Sequence, residues 1–171
     1  LWIPGKEAIE RSQLGRFCRW LQERRGLVFD TYEALRQWSV NDIEGFWSAI
    51  WEHNKVLSDT PYLRVLDQRT MPGAKWFEGS RVNYAEHMLR HEATAAVGEI
   101  ALHYASEENP PAGITWHELG AQVRLLATRL RELGVQPGDR VVSYMPVIPE
   151  TAVAMMATIA KRHVLARRSR C

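Results

Sequence analysis

The first residues whose types and spacing could do chemistry are two histidines one helical turn apart. His87 and His91 are separated by four positions, and Glu86 and Glu92 flank them. Imidazoles at this spacing can bind a metal ion such as zinc if a third ligand, here a glutamate, completes the site. The alternative is the solvated end of a helix. We favour this alternative and predict no metal site in the chain.

A second candidate is the segment 145–149, which joins a β-rich stretch, 140–145, to the start of a helix. Pro149 suits the first helical position, and Glu150 suits the positively polarised first turn. In open α/β sheets, ligands bind beyond the carboxyl ends of the strands. The segment therefore either contacts a ligand or only turns the chain, and we favour the turn.

A phosphate-binding loop cannot be identified in this sequence. It contains neither the pattern Gly-x-x-x-x-Gly-Lys-Ser/Thr nor another glycine-rich loop followed by lysine and a helix. No backbone cradle for phosphates can therefore be assigned. Asp30, Asp42 and Asp139 occupy positions typical of turn and cap residues rather than of catalytic acids. We assign no catalytic residue, and the cofactor-binding residues stay unassigned.

The elements that would position such groups include a helix that begins after Thr115. Thr115 and Glu118 fit a capping box, in which the two side chains bind backbone amides of the first helical turn. Gly134 is the left-handed residue expected at the end of the helix. The apolar stripe of the helix comprises Leu119, Val123, Leu126, Leu130 and Leu133. Alternating spacings of four and three residues place this stripe on one face.

Strands are predicted at 100–105, at Ile114 and at 140–145, and the Pro-Gly pair in 135–139 predicts a turn. Strands that alternate with helices through short loops favour a parallel, doubly wound sheet. The predicted fold class of the second half of the chain is therefore α/β.

The first 90 residues are predicted to be mainly helical. One helix is predicted at 9–25 and is closed by Gly26. Its apolar face comprises Leu14, Phe17, Cys18 and Leu21. A second helix is expected to begin at a cap, Asn41 or Ser39, and to carry a tryptophan-rich stripe. Because the chain has seven tryptophans, we expect several to lie partly exposed where a larger body would cover them.

Several motifs resemble those of a known family. Residues 114–119 (Ile-Thr-Trp-His-Glu-Leu), 133–141 and 145–150 (Met-Pro-Val-Ile-Pro-Glu) resemble the early motifs of the acyl-adenylate-forming ligases. Residues 71–79 (Met-Pro-Gly-Ala-Lys-Trp-Phe-Glu-Gly) and 82–86 (Val-Asn-Tyr-Ala-Glu) resemble the amino-terminal extension of acetoacetyl-CoA synthetases. The resemblance covers residues 2–160. It predicts a helical extension followed by the first strands and helices of an incomplete adenylating domain.

The resemblance implies an acetoacetate–CoA ligase. Such enzymes couple ATP to a carboxylate, form an acyl-adenylate and pyrophosphate, and then form the thioester with CoA. ATP, Mg and CoA would serve the intact family enzyme, with acetoacetate as its small-molecule substrate. The family's phosphate loop, ribose-binding acid and mobile lysine have no counterpart here. We therefore expect an amino-terminal part of such an enzyme, inactive by itself and without a cofactor of its own.

The same resemblance divides the chain into three parts. These are an amino-terminal extension, 1–90, the start of an AMP-binding domain, 91–160, and a divergent basic tail, 161–171. The tail holds five Lys and Arg and no acid. Without those five, 17 basic residues stand against 20 acidic ones, a net charge of −3 instead of +2. We expect the tail to be a truncated or frame-shifted end. Because no aromatic residue interleaves it, we expect no nucleic-acid partner.

Composition also argues against a membrane protein. No run approaches the roughly 20 apolar residues that a membrane span needs. The two cysteines, Cys18 and Cys171, form neither a metal pattern nor a disulfide framework, which suits a cytoplasmic location. The sequence assigns no oligomeric state.

Two alternatives to the acetoacetate branch remain open. One is a self-sufficient, non-catalytic α/β binding module, and the other is part of an acetyl-CoA or propionyl-CoA synthetase. Only about three strands are predicted after residue 99, against the four to six usual in a stable sheet. This deficit favours an incomplete ligase over a complete module. Sequences of the acetyl-CoA and propionyl-CoA branches usually diverge after the counterpart of Asn83.

Overall fold

The computed structural model describes residues 5–107 and 110–160. The chain divides into two compact units, Leu1–Arg81 and Val82–Cys171. The predicted tail, 161–171, lies outside the described residues.

Unit 1 consists of four helices followed by a small sheet. Its elements are α1 (Lys6–Arg11), α2 (Gln13–Arg25), α3 (Tyr32–Asn41), α4 (Ile43–His53), β1 (Arg64–Leu66) and β2 (Trp76–Glu78). The two strands pair antiparallel, with Arg64 opposite Glu78 and Leu66 opposite Trp76.

The single helix predicted at 9–25 is wrong, because the structure has two helices there. Ser12 interrupts them with extended backbone, φ −66° and ψ 158°, and its hydroxyl accepts a hydrogen bond from the Gly15 amide at 2.9 Å. A serine that caps a new helix in this way cannot also continue the previous one. The predicted end at Gly26 is confirmed, with φ 67°.

The cap predicted for the tryptophan-rich helix is also wrong. Asp42 caps α4 by accepting a hydrogen bond from the Gly45 amide at 2.9 Å. Asn41 is instead the last residue of α3, and the Ser39 hydroxyl donates to the Arg36 carbonyl. An aspartate between two helices serves better as a cap, because its carboxylate meets the positive end of α4.

The core of unit 1 is formed by α2, α3 and α4. Its buried side chains are Phe17, Leu21, Leu35 and Ala49. Trp20, Trp38 and Phe46 pack against this cluster, whereas Trp47 and Trp76 remain more than 40% exposed within the described residues. The expected mixture of packed and partly exposed tryptophans is therefore present.

Unit 2 has two longer helices and a two-stranded sheet. Its elements are α5 (Tyr84–Leu89), a 3₁₀ turn (Arg90–Ala93), β3 (Ile100–Tyr104), β4 (Ala112–Thr115), α6 (Trp116–Glu132) and α7 (Pro149–Ile159). The core comprises Ala85, Ile114, Leu119, Val123, Ala127, Val153, Met156, Ala157 and Ala160. In the part of the chain that the structure describes, no helix has the length and apolar character needed to cross a membrane.

The helix predicted after Thr115 is confirmed, together with its capping box. Gly134 follows it with φ 82°. Leu119 and Val123 are fully buried, but Leu133 is 79% exposed. The stripe therefore ends early, because α6 stops at Glu132 and the chain turns before Leu133 could continue the helical face.

The sheet differs from the parallel arrangement that was predicted. β3 and β4 pair antiparallel, with Leu102 opposite Ile114 and Tyr104 opposite Ala112. The seven residues 105–111 are too few for a parallel crossover, which takes about a dozen or more. The predicted strand at 140–145 is wrong for this structure, since no described strand lies beside it to pair with its backbone. The broader class, helices followed by mixed strands and helices, is confirmed.

Candidate functional site

The motif 71–79 lies on β2 and the loop before it. Phe77 has a positive φ of 48°, a conformation that costs energy for any residue with a Cβ. An aromatic cluster holds it there: its ring stacks on Trp51 with centroids 4.4 Å apart and meets the edge of Tyr62 at 5.3 Å. The motif therefore fixes the small sheet onto α4 within unit 1.

Asp67 organises the loop between β1 and β2. Its carboxylate accepts backbone hydrogen bonds from Lys75 at 2.8 Å and from Gln68 at 2.7 Å. These amides lower the pKa of Asp67 below its ordinary value, with the Lys75 amide making the largest contribution. The carboxylate is thus stabilised in its charged form as a loop clamp rather than as a general base.

The motif 82–86 places a buried amide at the start of α5. Asn83 caps the helix, and its Oδ1 accepts from the Glu86 amide at 3.2 Å. Its Nδ2 donates to the carbonyl oxygen of Ile159 at 3.0 Å. One side chain therefore joins the first turn of α5 to the last turn of α7.

The candidate metal ligands near His87 are engaged elsewhere. Glu92 accepts two hydrogen bonds from the Arg124 guanidinium, at 2.6 and 2.8 Å. His91 lies beside the Trp116 ring, with centroids 5.3 Å apart. Burial lowers the pKa of His87. Within residues 5–107 and 110–160, no group of three side chains is arranged to hold a metal ion.

The segment 145–149 borders a cavity of about 420 Å³ in unit 2. Val147, Ile148 and Pro149 line it together with Glu118 and Glu150. No lysine, arginine or histidine of the described residues lines this cavity. Two carboxylates without a cation make an electrostatically unfavourable environment for a phosphate group.

The three aspartates considered in the sequence lie in turns or caps. Asp139 closes the turn at 135–139, where its Oδ2 accepts from the Gln136 amide at 2.6 Å. Asp42 caps α4, and Asp30 is exposed one residue before Thr31, the cap of α3. The predicted cap and turn roles of Asp42 and Asp139 are confirmed.

Two family models match the sequence in succession. Residues 32–88 match the model "Acetyl-coenzyme A synthetase N-terminus", and residues 89–166 match the model "AMP-binding enzyme". Taken together, the two matches cover residues 32–166 and show that the chain is similar to the AMP-binding enzymes, with a preceding segment similar to the amino terminus of acetyl-CoA synthetases.

Among similar proteins, acetoacetyl-CoA synthetases resemble this chain over most of its length. Acetoacetyl-coenzyme A synthetase of Rhizobium meliloti is 39% identical over 158 residues, which are 92% of this chain and 24% of the relative. The structure of acetoacetyl-CoA synthetase from Streptomyces lividans is 48% identical, with a TM-score of 0.82 over 93% of this chain and 25% of that one. Within its family, this chain is a homologue of the acetoacetyl-CoA synthetases.

The names of the relatives do not all give the same acyl group. Malonamoyl-CoA synthetase of Penicillium aethiopicum is 31% identical over 166 residues, which are 91% of this chain and 23% of the relative. The chain spans about a quarter of the length of the relatives it matches.

Proposed function

We propose that these 171 residues supply the amino-terminal part of an ATP-dependent acetoacetate–CoA ligase. The observation that carries the proposal is the likeness to the Streptomyces lividans synthetase, in sequence and fold, over 93% of this chain. In the proposed reaction, the acetoacetate carboxylate attacks the α-phosphorus of ATP and pyrophosphate leaves. The CoA thiolate then attacks the acyl carbon, AMP leaves, and acetoacetyl-CoA forms.

The substrate class is proposed from the acyl groups named in the relatives. Acetoacetate and malonamate both carry a second carbonyl two carbons from the carboxylate, and they differ only by a methyl against an amino group. Two relatives of this chain are named for these two acids. We therefore propose a short 3-oxo acid, rather than acetate or propionate, as the substrate of the enzyme to which this chain contributes.

The contribution of this chain to that reaction is architectural. We assign ATP, Mg and CoA to the whole enzyme. The described residues supply helix caps, a buried amide cross-link and the segment 145–149 in unit 2. A cytosolic location is part of the proposal and is supported by the sparse cysteine content, two in 171 residues.

Exchange of segments between synthetases tests the proposal. Residues 5–160 would replace the matching segment of the Streptomyces lividans enzyme and, separately, that of an acetyl-CoA synthetase. We expect the first chimera to keep acetoacetate-dependent ATP–pyrophosphate exchange. The second should lose acetate-dependent exchange, because an extension of the acetoacetate branch should not match its surfaces. Each host with its own segment reinserted through the same junctions is the control.

The outcomes separate the two synthetase branches. Equal activity in both hosts would remove the acetoacetate assignment, and a folded but inactive chimera in both would remove the ligase assignment. The 171-residue chain alone is a further arm of the test. We expect it to show no ATP–pyrophosphate exchange with acetoacetate, and clear exchange by the purified chain would contradict its role as a part of a larger ligase.

A further inference from the structure

A strap of three residues, 58–60, holds the end of unit 1 in place. It lies in the loop between α4 and β1. The Thr60 hydroxyl donates to the Gly79 carbonyl at 2.6 Å. The Ser58 hydroxyl accepts from the Arg81 amide at 3.1 Å, and the Arg81 carbonyl accepts a backbone hydrogen bond from the strap at the same distance. The last three residues of unit 1 are therefore tied to the loop that precedes β1.

The segment that the strap holds ends at the boundary between the two units. Unit 1 ends at Arg81 and unit 2 begins at Val82, and both residues are exposed. Exposed connections between compact units are usually the places where a chain moves and where proteases cut. Residues 79–81 lie between β2 and α5, outside regular secondary structure. The hydrogen bonds from the strap therefore restrict a segment that would otherwise be free to open.

Thr60 combines the features of a modification site with its role in the strap. It is exposed, it lies outside the helices and strands, and Pro61 follows it. Of the eight prolines in the chain, only Pro61 follows a serine or threonine. Proline keeps the preceding residue extended and has no amide hydrogen to donate. The segment can therefore enter an enzyme cleft as an extended chain, and the pair Thr-Pro suits a kinase that requires proline after its acceptor.

We propose that Thr60 is a phosphorylation site whose modification releases the strap. A proline-directed protein kinase would transfer the γ-phosphoryl group of ATP to Oγ1. The Oγ1–phosphorus bond forms, the bond to the β-phosphate oxygen breaks, the hydroxyl proton passes to solvent and ADP leaves. The ester oxygen then has no proton to donate to the Gly79 carbonyl. The phosphate also adds a charge of about −1.5 to −2 at neutral pH, which the neighbouring carboxylate of Asp59 repels.

Limited digestion with trypsin tests whether the strap holds the boundary. Trypsin can cleave after Arg81 only when the backbone there leaves the strap, so the rate reports local opening. We expect Thr60→Val, which removes the donor, to raise this rate roughly fivefold, whereas Thr60→Ser keeps the donor and should stay close to the native rate. Cleavage after Arg36, inside α3, is the internal control for unfolding of unit 1. Equal rates at Arg81 in all three proteins, or a matching rise at Arg36, would overturn the proposal.

Phosphorylation of the 171-residue chain is the second arm of the test. We expect a proline-directed kinase to place one phosphate on Thr60, located by mass spectrometry, and none on the Thr60→Val chain. Cleavage after Arg81 should then rise at least as much as in Thr60→Val. Absence of phosphate from Thr60 would overturn the proposal. Slower cleavage after phosphorylation would also overturn it, because the phosphate would then tighten the strap by pairing with the Arg81 guanidinium. These outcomes do not depend on the proposed function.

Discussion

Among the described residues of unit 2, Asn83 is the one buried polar side chain, and its amide joins the start of α5 to the end of α7. It accepts from the Glu86 amide at 3.2 Å and donates to the Ile159 carbonyl at 3.0 Å. Asn83 is 7% exposed, so both bonds lie largely out of water. The last turn of α7 leaves carbonyls without helical partners, and Asn83 satisfies one of them.

Replacement of Asn83 should therefore destabilise the protein. We expect Asn83→Ala to lower the free energy of unfolding by about 1 to 3 kcal/mol, because the cap is lost and the Ile159 carbonyl is left without its partner. Asn83→Ser should cost less, since serine also caps helices but is too short to reach Ile159. Urea titrations would measure both. Equal losses would show that the cap contributes nothing and that only the bond to Ile159 matters.

Truncation of a buried side chain on α6 should lower the free energy of unfolding much more than truncation of an exposed one. Leu119 is 1% exposed and Leu125 is 67% exposed on the same helix. We expect Leu119→Ala to cost about 2 to 5 kcal/mol through lost burial and the cavity left behind. Leu125→Ala should cost less than about 0.5 kcal/mol. Thermal or urea unfolding would measure the same Leu→Ala change at a buried and at an exposed position. Similar losses of stability at both positions would contradict the described packing.

Local features of this fold were readable in the sequence, and long-range ones were not. The capping box at Thr115 and Glu118 and the closing residues Gly26 and Gly134 involve near neighbours, so their spacing predicts them. The contact between Asn83 and Ile159 spans 76 positions, and nothing in either residue's neighbourhood indicates it. The position of Asn83 before a helical run predicts a cap, but it does not predict the hydrogen bond from Asn83 to Ile159.

The failed strand prediction has a related cause. The segment 140–145 has the composition of a strand, but a strand forms only when another backbone pairs with it. Helix α3 is not predicted for a different reason, because its apolar signal is short. Leu35 is its only buried side chain among the described residues, and Trp38, three positions later, packs against the same core. The candidate metal ligands were similarly ambiguous, since the partner of Glu92 lies 32 positions away at Arg124.

The pair formed by Glu92 and Arg124 should contribute to acid sensitivity. The Arg124 guanidinium, through its hydrogen bonds and its charge, holds the pKa of Glu92 below its ordinary value of 4.5. A carboxyl whose pKa is depressed by folding stabilises the protein above its unfolded pKa and loses that contribution as the pH falls through the folded value. The stability of the native chain should therefore decline more steeply below about pH 4.5 than that of Glu92→Gln.

Unfolding by urea at several pH values would compare how steeply the stability of the native chain and of Glu92→Gln falls with pH. Glu132→Gln is the matched control, because Glu132 pairs with Arg129 on the surface, where both side chains are more than half exposed. Surface pairs of this kind contribute little. Parallel curves for the native chain and Glu92→Gln would contradict the stabilising role of the Arg124 contact.

In unit 1, substitutions of Phe77 test whether its aromatic contacts offset the energetic cost of its positive φ. Its φ is 48° and its ring lies on Trp51. Both Phe77→Ala and Phe77→Gly lose the ring contacts, but glycine adopts a positive φ without the steric cost that alanine retains. We expect the glycine variant to be the more stable of the two by roughly 1 kcal/mol. Calorimetric melting would decide this, and an alanine variant of higher stability would contradict the positive φ.

Gly120 couples α6 to the 3₁₀ turn that carries Glu92. A Cβ added to Gly120 would overlap the carboxylate of Glu92, so the carboxylate would have to move from the position in which it binds Arg124. Alanine would otherwise favour the interior of a helix over glycine by about 1 kcal/mol.

The effect of Gly120→Ala should therefore reverse sign with the residue at position 92. In the native background, we expect the substitution to destabilise the protein by about 1 to 2 kcal/mol, because the charged hydrogen bonds lost outweigh the helical gain. In a Glu92→Ala background, the obstructing carboxylate is absent, and the same substitution should stabilise by up to about 1 kcal/mol. A double-mutant cycle from urea unfolding measures this coupling. Additive effects would mean that Gly120 and Glu92 do not meet, and the close approach of the 3₁₀ turn to α6 would be wrong.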